Sequence, residues 1–295
     1  MSSTQTLVVG APIELAFDRL LNPSSVTRQT FVLQDLGGAF VEPTPSYDPV
    51  ARVVRLCMTD AAPLQADQTY RLTLVAPSSA TDPAGLRAID GAGLDPSVNP
   101  VIEFPVVAGA AYTGSDACSG ATSVDFCADV LPIFAPRCAL SPCHSGAHPA
   151  AGLMMTTAQG IQATAIGRVA QGSNTGMQPR VAPPGHLFGV DMPIIGPGDP
   201  GDSWLSYKLL LAVPPATALE DNRYPSVTPA WTLMSDDERA TLSNYILGRE
   251  MPYPSDPSVS PSASSTPVPL SADQLDTVST WILQGAGIPE AGCTP

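Results

Sequence analysis

The first third of the chain alternates apolar and polar residues over short runs, which is the pattern of half-buried β-strands. Glycine-containing turns separate the runs, for example at 36–39 and 90–93. Many short strands with turns between them are typical of two packed sheets, so we predict an all-β sandwich at residues 1–107. The predicted strands are 12–17, 31–35, 51–58, 69–75 and 101–104.

The rest of the chain places its apolar residues at helical spacing, between loops rich in glycine and proline. Four residues with side chains suited to N-caps precede these helical stretches. They are Asp129, Ser203, Ser235 and Ser271. The last two are followed three residues later by Glu238 and Gln274, which completes two capping boxes, and Gly248 and Gly285 are the predicted helix ends.

A segment of small and polar residues separates the two parts and has the composition of a flexible linker. A length of 295 residues allows two domains, each with its own core. We therefore predict a β-sandwich domain at 1–107, a linker at 108–120 and a mainly α-helical domain at 121–295.

The composition indicates which compartment and which partners to expect. Charged residues make up only 14% of the chain and prolines number 33, which is more typical of an exported protein with rigid loops than of a helix-rich cytosolic enzyme. The formal net charge of −14 argues against nucleic acid as a partner. No run of about 18 apolar residues occurs, so no transmembrane segment is predicted.

The strongest chemical signal is the run RCALSPCH at 137–144, in which four residues separate two cysteines and a histidine follows the second. Such a trio can attach a haem covalently, because each thiol adds across a porphyrin vinyl group and the imidazole binds the iron. The usual spacing is shorter, so the gap must bulge outward, and its serine–proline step is suitable turn material. The alternative is a local disulfide between Cys138 and Cys143, with His144 uninvolved.

The surrounding sequence, DVLPIFAPRCALSPCH at 129–144, resembles the haem-attachment segment of c-type cytochrome domains on exported bacterial proteins and lipoproteins. In that family an apolar helix leads into the attachment site. The later stretch PGDPGDSWLSYKL at 197–209 is similar to one that follows the haem segment in the same family. The resemblance implies haem c, with its iron, as the cofactor of a cytochrome c-like domain, held by Cys138, Cys143 and His144.

The start of the chain, through PIELAFDRLLNPSSV at 12–26 and YRLTL at 70–74, resembles bacterial Ig-like domains of surface proteins. The two resemblances together imply a cell-envelope protein, periplasmic or on the cell surface, with an Ig-like sandwich ahead of the haem domain. The first residues contain neither the basic nor the apolar region of an export signal. An export signal or lipid anchor is therefore expected upstream of Met1.

An iron held by one histidine has a second axial position. Small c-type cytochromes place a methionine in the loop before a C-terminal helix that packs across the haem-bearing helix, and this implies Met251 as the second iron ligand. Met192 is the main rival, followed by Met177 and His186, and an open position is a further alternative.

The four other cysteines are candidates for disulfides in an oxidising compartment. Cys118, Cys127 and Cys293 bracket the second domain, so one pair among them could join its ends. Cys57 lies in an apolar strand and is predicted to be simply buried. The sequence leaves the pairing open.

These features predict a monohaem c-type cytochrome, an electron carrier rather than an enzyme, whose partners are other redox proteins. Two alternatives stay open. One is a disulfide-stapled surface interaction module without haem, and the other is a haem enzyme or gas sensor with an open distal site. Because the chain has only three histidines, most zinc-site and catalytic-triad chemistries lack the residues they need.

Overall fold

The computed structural model describes most of the chain, and every structural statement below concerns those residues. They are 6–58, 63–79, 82, 84–109, 123–140, 143–170, 188–189, 191–212, 234–253 and 269–293. The predicted linker at 108–120 lies outside them, apart from its first two residues.

The strands of the described residues form two sheets between residues 7 and 107. They are β1 (Leu7–Val8), β2 (Ile13–Ala16), β3 (Phe31–Asp35), β4 (Phe40–Val41), β5 (Thr44–Asp48), β6 (Val53–Cys57), β7 (Gln68–Leu74) and β8 (Val101–Val107). One sheet has the order β1-β8-β7-β3-β4 and the other the order β2-β6-β5. β1 pairs with β8 in parallel, and the other neighbouring strands pair antiparallel.

All five strand predictions are confirmed, within a few residues at each end. In β3, Phe31 and Leu33 are each 1% exposed, whereas Val32 and Gln34 on the opposite face are half-buried, as a period of two requires. β1, β4 and β5 were not predicted. The first two have only two residues each, and β5 has the sequence TPSYD, which lacks the alternation.

The α-helices of the described residues lie in the second part of the chain. They are α1 (Leu131–Arg137), α2 (Ala158–Thr164), α3 (Trp204–Leu210), α4 (Asp236–Tyr245) and α5 (Ala272–Leu283). A π-helical turn, Phe126–Val130, runs directly into α1, and short 3-10 turns lie at Pro23–Ser25, Ala150–Gly152 and Pro200–Asp202. No described helix is long and apolar enough to cross a membrane.

The capping box predicted at Ser271 is confirmed. Its hydroxyl accepts the Gln274 N–H at 3.3 Å, and its own N–H donates to Gln274 Oε1 at 3.1 Å. α5 then ends shortly before Gly285, whose φ of +94° suits the left-handed turn that stops a helix. At α4 only half of the predicted box forms. Ser235 accepts the Glu238 N–H at 3.1 Å, but the Glu238 carboxylate is used elsewhere.

Two other capping predictions need correction. Asp129 is not the N-cap of the helix that leads to the cysteine motif, because the π-helical turn starts the helix earlier. Asp125 is the N-cap, and its Oδ1 accepts the Ala128 N–H at 2.7 Å. Ser203 does occupy the N-cap position of α3, but its hydroxyl bonds to the preceding loop rather than to the helix. It accepts the Gly196 N–H and donates to the Asp199 carbonyl, each at 2.9 Å.

The predicted fold class, an all-β Ig-like sandwich followed by a mainly α cytochrome c-like domain, is wrong. The structure is mixed, with 27% of the described residues helical and 20% in strands, and its C-terminal part is not clearly mainly α. Three of the five described α-helices have only seven residues each. One hydrophobic cluster includes buried residues from both parts of the chain. The domain boundaries stay a prediction.

The three-stranded sheet shows why the parts are not packed separately. All five residues of β6 are buried, which is the pattern of a strand covered on both faces. The polar one, Arg55, pairs with Glu14 of β2 at 2.6 Å, with side chains 2% and 0% exposed. Beyond this sheet, Ser279 of α5 donates to Asp48 at 2.9 Å, and the Tyr245 hydroxyl of α4 donates to the Ile89 carbonyl at 3.0 Å.

Glu238 joins α4 to the first part of the chain. Its Oε2 accepts from Arg52 Nη2 at 2.7 Å, and its Oε1 accepts the Leu20 N–H at 2.8 Å. The two charged side chains are 6% and 16% exposed, so little water screens the pair. The carboxylate therefore satisfies both a charge and a backbone donor across the contact.

Asp199 makes a second polar connection, from the loop before α3. Its Oδ1 accepts the N–H of Tyr47 at 3.2 Å and that of Gly201 at 2.9 Å. Burial raises the pKa of Asp199 to about 7, although these two hydrogen bonds oppose the change. The backbones approach so closely that a Cβ on Gly201 would lie 2.8 Å from the Tyr47 Cβ.

Replacing Glu238 with alanine leaves Arg52 buried without its carboxylate and removes the acceptor of the Leu20 N–H. We expect Glu238→Ala to lower the free energy of unfolding by about 3 kcal/mol. The matched control is Glu103→Ala, which breaks the Arg71–Glu103 pair, about half exposed on both sides, and should cost at most about 1 kcal/mol. Urea denaturation of both variants measures the difference, and equal losses would contradict the assigned role.

Because the pKa of Asp199 is raised above its ordinary 3.8 to about 7, the folded protein holds this proton more tightly than the unfolded chain. Its contribution to stability is thus fully present below about pH 4 and is lost as the pH rises to 7, by about 1.4 kcal/mol per pH unit. Asp199→Asn keeps an oxygen acceptor but has no charge to bury. In urea denaturation from pH 4 to 8, the free energy of unfolding of the variant should rise relative to that of the wild type up to pH 7. A constant difference would refute this.

Candidate functional site

α1 carries Cys138 at its end, and aromatic contacts fix this helix against α5. Phe126 and Phe134 lie with ring centroids 5.3 and 6.1 Å from the Trp281 ring of α5. The Cys138 N–H donates to the Phe134 carbonyl at 2.7 Å, so the first cysteine continues the last turn of α1. A contact between the helix that leads to the cysteine motif and the C-terminal helix is therefore present.

A disulfide closes the same end of the structure. Cys127, in the turn before α1, is bonded to Cys293 with a Cα–Cα distance of 5.4 Å across 166 residues of sequence. This confirms that one pair among the three bracketing cysteines joins the ends of the second part. Cys118 lies outside the described residues. The prediction for Cys57 is wrong, because it is disulfide-bonded rather than simply buried.

Cys138 and Cys143 are free thiols, in contrast to the other cysteines of the described residues. The His144 N–H donates to the Cys138 carbonyl at 3.2 Å, which closes the loop between the first cysteine and the histidine. The serine–proline step at 141–142 lies outside the described residues. Cys138 is 7% exposed, and burial raises its pKa to about 12, whereas Cys143 is half-buried.

The His144 imidazole is buried and oriented by the backbone. Its Nδ1 lies 3.1 Å from the Ala150 carbonyl oxygen, which can only accept, so Nδ1 carries the proton and Nε2 keeps its lone pair. Burial lowers the pKa of His144, which favours this neutral form, although carbonyls of Ala150 and Leu153 act in the opposite direction. A neutral imidazole with one nitrogen held by a carbonyl is the arrangement found for metal-binding histidines.

The loop after His144 supplies that carbonyl. The 3-10 turn Ala150–Gly152 reverses the chain, with Ala151 at φ +55° and Gly152 at φ +70°. Two backbone bonds hold it: the Ala150 N–H donates to the Cys143 carbonyl at 2.7 Å, and the Met155 N–H donates to the His144 carbonyl at 2.9 Å. The turn therefore holds the Ala150 carbonyl beside Nδ1 of the imidazole.

These residues fit a covalently attached haem in their chemistry. The segment offers two unpaired thiols for the vinyl groups and one imidazole nitrogen for the iron, and the Cys138 side chain belongs to the apolar cluster against which a porphyrin would pack. Among the described residues, no set of three or more His, Cys, Asp or Glu side chains is gathered to hold a metal ion.

The candidate second ligands are spread over different loops. Met251 is half-buried, packs against the main cluster, and donates its N–H to the Lys208 carbonyl of α3 at 2.9 Å. Met192 is 1% exposed and lies within the core. Met177 and His186 lie outside the described residues. Sequence reasoning did not single out Met155, which is 1% exposed and bonded to the backbone of the motif, because nothing in the sequence marks it from other core methionines.

Comparison with known proteins gives little further guidance. No family model matches the chain, and no curated protein matches it. Among solved structures, the crystal structure of the S-layer protein rSbsC(31-844) is similar at 13% identity, over 35% of this chain and 13% of that chain, with a TM-score of 0.27. A similarity at this level carries no argument about fold or function.

The difference between the two free thiols leads to a prediction for the protein without haem. Cys143 is accessible, whereas Cys138 is buried and its raised pKa keeps it protonated, and the thiolate is the form that reacts. We expect iodoacetamide to modify Cys143 at least roughly tenfold faster than Cys138 in the folded protein, and both equally in urea. Peptide mass mapping measures the two rates. Equal rates in the folded state, or a bond between the two sulfurs, would contradict the structure.

Proposed function

We propose that the protein is a monohaem c-type cytochrome of the cell envelope, which carries electrons through a haem held by Cys138, Cys143 and His144. The observation that carries this proposal is the pair of free thiols directly beside an imidazole whose Nδ1–H is held by the Ala150 carbonyl. Such a combination supplies two covalent attachments and one axial nitrogen within a single loop.

The chain's own groups have defined tasks in this proposal. Cys138 and Cys143 would hold the porphyrin through its two vinyl groups. The Ala150 carbonyl holds the imidazole in one tautomer and one orientation, which also raises the basicity of Nε2 toward a metal. A haem, when bound here, supplies an iron that takes up and releases one electron.

Met251 is the proposed second axial ligand. Its thioether is soft and stabilises the reduced iron, so the potential is raised relative to two nitrogen ligands. If His144 and Met251 both bound the iron, no coordination site would be left for a substrate. An electron carrier is therefore the better proposal than a haem enzyme or a gas sensor.

Other features support the envelope location and the partners. The bond between Cys127 and Cys293 and the disulfide at Cys57 are of the kind that persists in oxidising compartments such as the periplasm. The net charge of −14 would steer a basic redox protein toward the surface. The β part of the chain is proposed to hold the haem part at the cell surface or within a larger complex.

A second candidate is a surface interaction module without haem, stapled by disulfides. The same Cys127–Cys293 bond favours it, because an oxidising compartment that keeps this disulfide would also allow one between Cys138 and Cys143. The two candidates differ in the fate of those two sulfurs, which are joined to a porphyrin in one and to each other in the other.

The decisive experiment is export of the full chain, with a bacterial leader, from a host that has haem-attachment machinery. Each S–H adds across a vinyl double bond without a leaving group, so the intact mass should rise by the mass of one haem, and colour should survive acid–acetone extraction. Cys138→Ser and Cys143→Ser should each keep one thioether, and the double variant should lose the haem. A colourless product with Cys138 bonded to Cys143 would reject the cytochrome and favour the module.

A further inference from the structure

Lys208 contacts the segment that carries Met251 at both of its ends. The Lys208 ammonium donates to the carbonyl of Leu247 and, at 2.7 Å, to the carbonyl of Arg249. Its own backbone carbonyl accepts the Met251 N–H at 2.9 Å. One residue of α3 therefore holds three backbone groups between 247 and 251.

These three contacts of Lys208, called the clamp below, start from a helix that is anchored in the core. On either side of Lys208, Tyr207 is 0% and Leu209 is 4% exposed. The Lys208 side chain itself is half-buried; its ammonium donates to the loop carbonyls and also interacts electrostatically with Glu250. A charged donor bonded to neutral carbonyls gives stronger hydrogen bonds than a neutral donor would.

The loop is shaped to receive the ammonium. Gly248 has a φ of +80°, and a Cβ at this position would lie 3.2 Å from Lys208 Nζ, so glycine allows both the turn and the close approach. The Arg249 guanidinium lies 4.2 Å from the centre of the Tyr253 ring. This contact joins the residues two positions before and two positions after Met251.

We propose that Lys208 is the positioning residue for Met251, fixing the backbone from which the methionine sulfur reaches the iron. The inference rests on the proposed function. A methionine side chain has three rotatable bonds and loses much freedom when it binds, so a loop fixed in advance lowers the cost of ligation. Lys208 acts through the backbone of 247–251 and is not itself a ligand.

The test uses the full-length, haem-loaded protein. Lys208→Met keeps the aliphatic stem and the backbone carbonyl but removes the ammonium. We expect the near-infrared band of methionine-ligated oxidised haem to fall, with a roughly tenfold drop in the ratio of methionine-bound to methionine-free iron, and the reduction potential to fall with it. Lys208→Arg, which still donates to two carbonyls, should restore most of the band.

Gly248→Ala is a second, independent variant. It leaves the lysine in place but crowds the ammonium and strains the turn, so the band should weaken in the same direction. Met251→Ala defines complete loss of the band, and Met192→Ala is the matched control, which should keep it. If Lys208 merely stabilised the fold, Lys208→Met would lower the free energy of unfolding and leave the band of the folded protein unchanged.

The outcomes separate this inference from the function on which it rests. A full-strength band in Lys208→Met, with Met251→Ala lacking it, overturns the role of Lys208 and leaves the cytochrome proposal intact. A band that survives Met251→Ala overturns Met251 as the ligand, and Lys208 with it, while covalent haem remains. A chain that attaches no haem overturns both. In the apoprotein, faster amide hydrogen exchange at Met251 in Lys208→Met than in wild type supports the clamp, and unchanged exchange opposes it.

Discussion

The structure depends on the contact between the three-stranded sheet and the second part of the chain. β6 is buried on both faces, and the polar groups along the contact meet specific partners, with Arg52 on Glu238 and Asp48 on Ser279. Helices of seven residues do not persist alone in water, so α1, α2 and α3 gain their stability from what they pack against. The loop that presents His144 follows one of these helices, and its geometry is therefore a product of the whole molecule.

Much of the β part could be predicted, because strand period and turn chemistry are local signals. Helix caps were predicted less well. The sequence predicts Glu238 as the second half of a capping box, yet its carboxylate pairs with Arg52, which is far away in sequence. Asp129 has the right side chain for a cap, but Asp125 precedes it with an equal claim, and the π-helical turn decides between them. The fold class was mispredicted for the same reason, since sequence periodicity does not tell which surface a short helix packs against.

The candidate site could also be predicted only in part. Its reactive groups are readable in the sequence, because two cysteines and a histidine stand together at 138–144. The carbonyl that orients the imidazole is not readable, because Ala150 contributes only its backbone, and any residue has the same carbonyl. The contact of Lys208 with the Met251 loop is hidden likewise, since it joins residues of two distant segments through backbone oxygens. Contacts made through backbone oxygens leave no trace in the sequence.

The bond between Cys127 and Cys293 turns the intervening chain into a covalent ring. A single cut of the backbone anywhere inside such a ring opens it without releasing a fragment, so Phe134 of α1 stays tethered to Trp281 of α5. The two ends of this part of the chain therefore stay joined even when a loop between them is cleaved once.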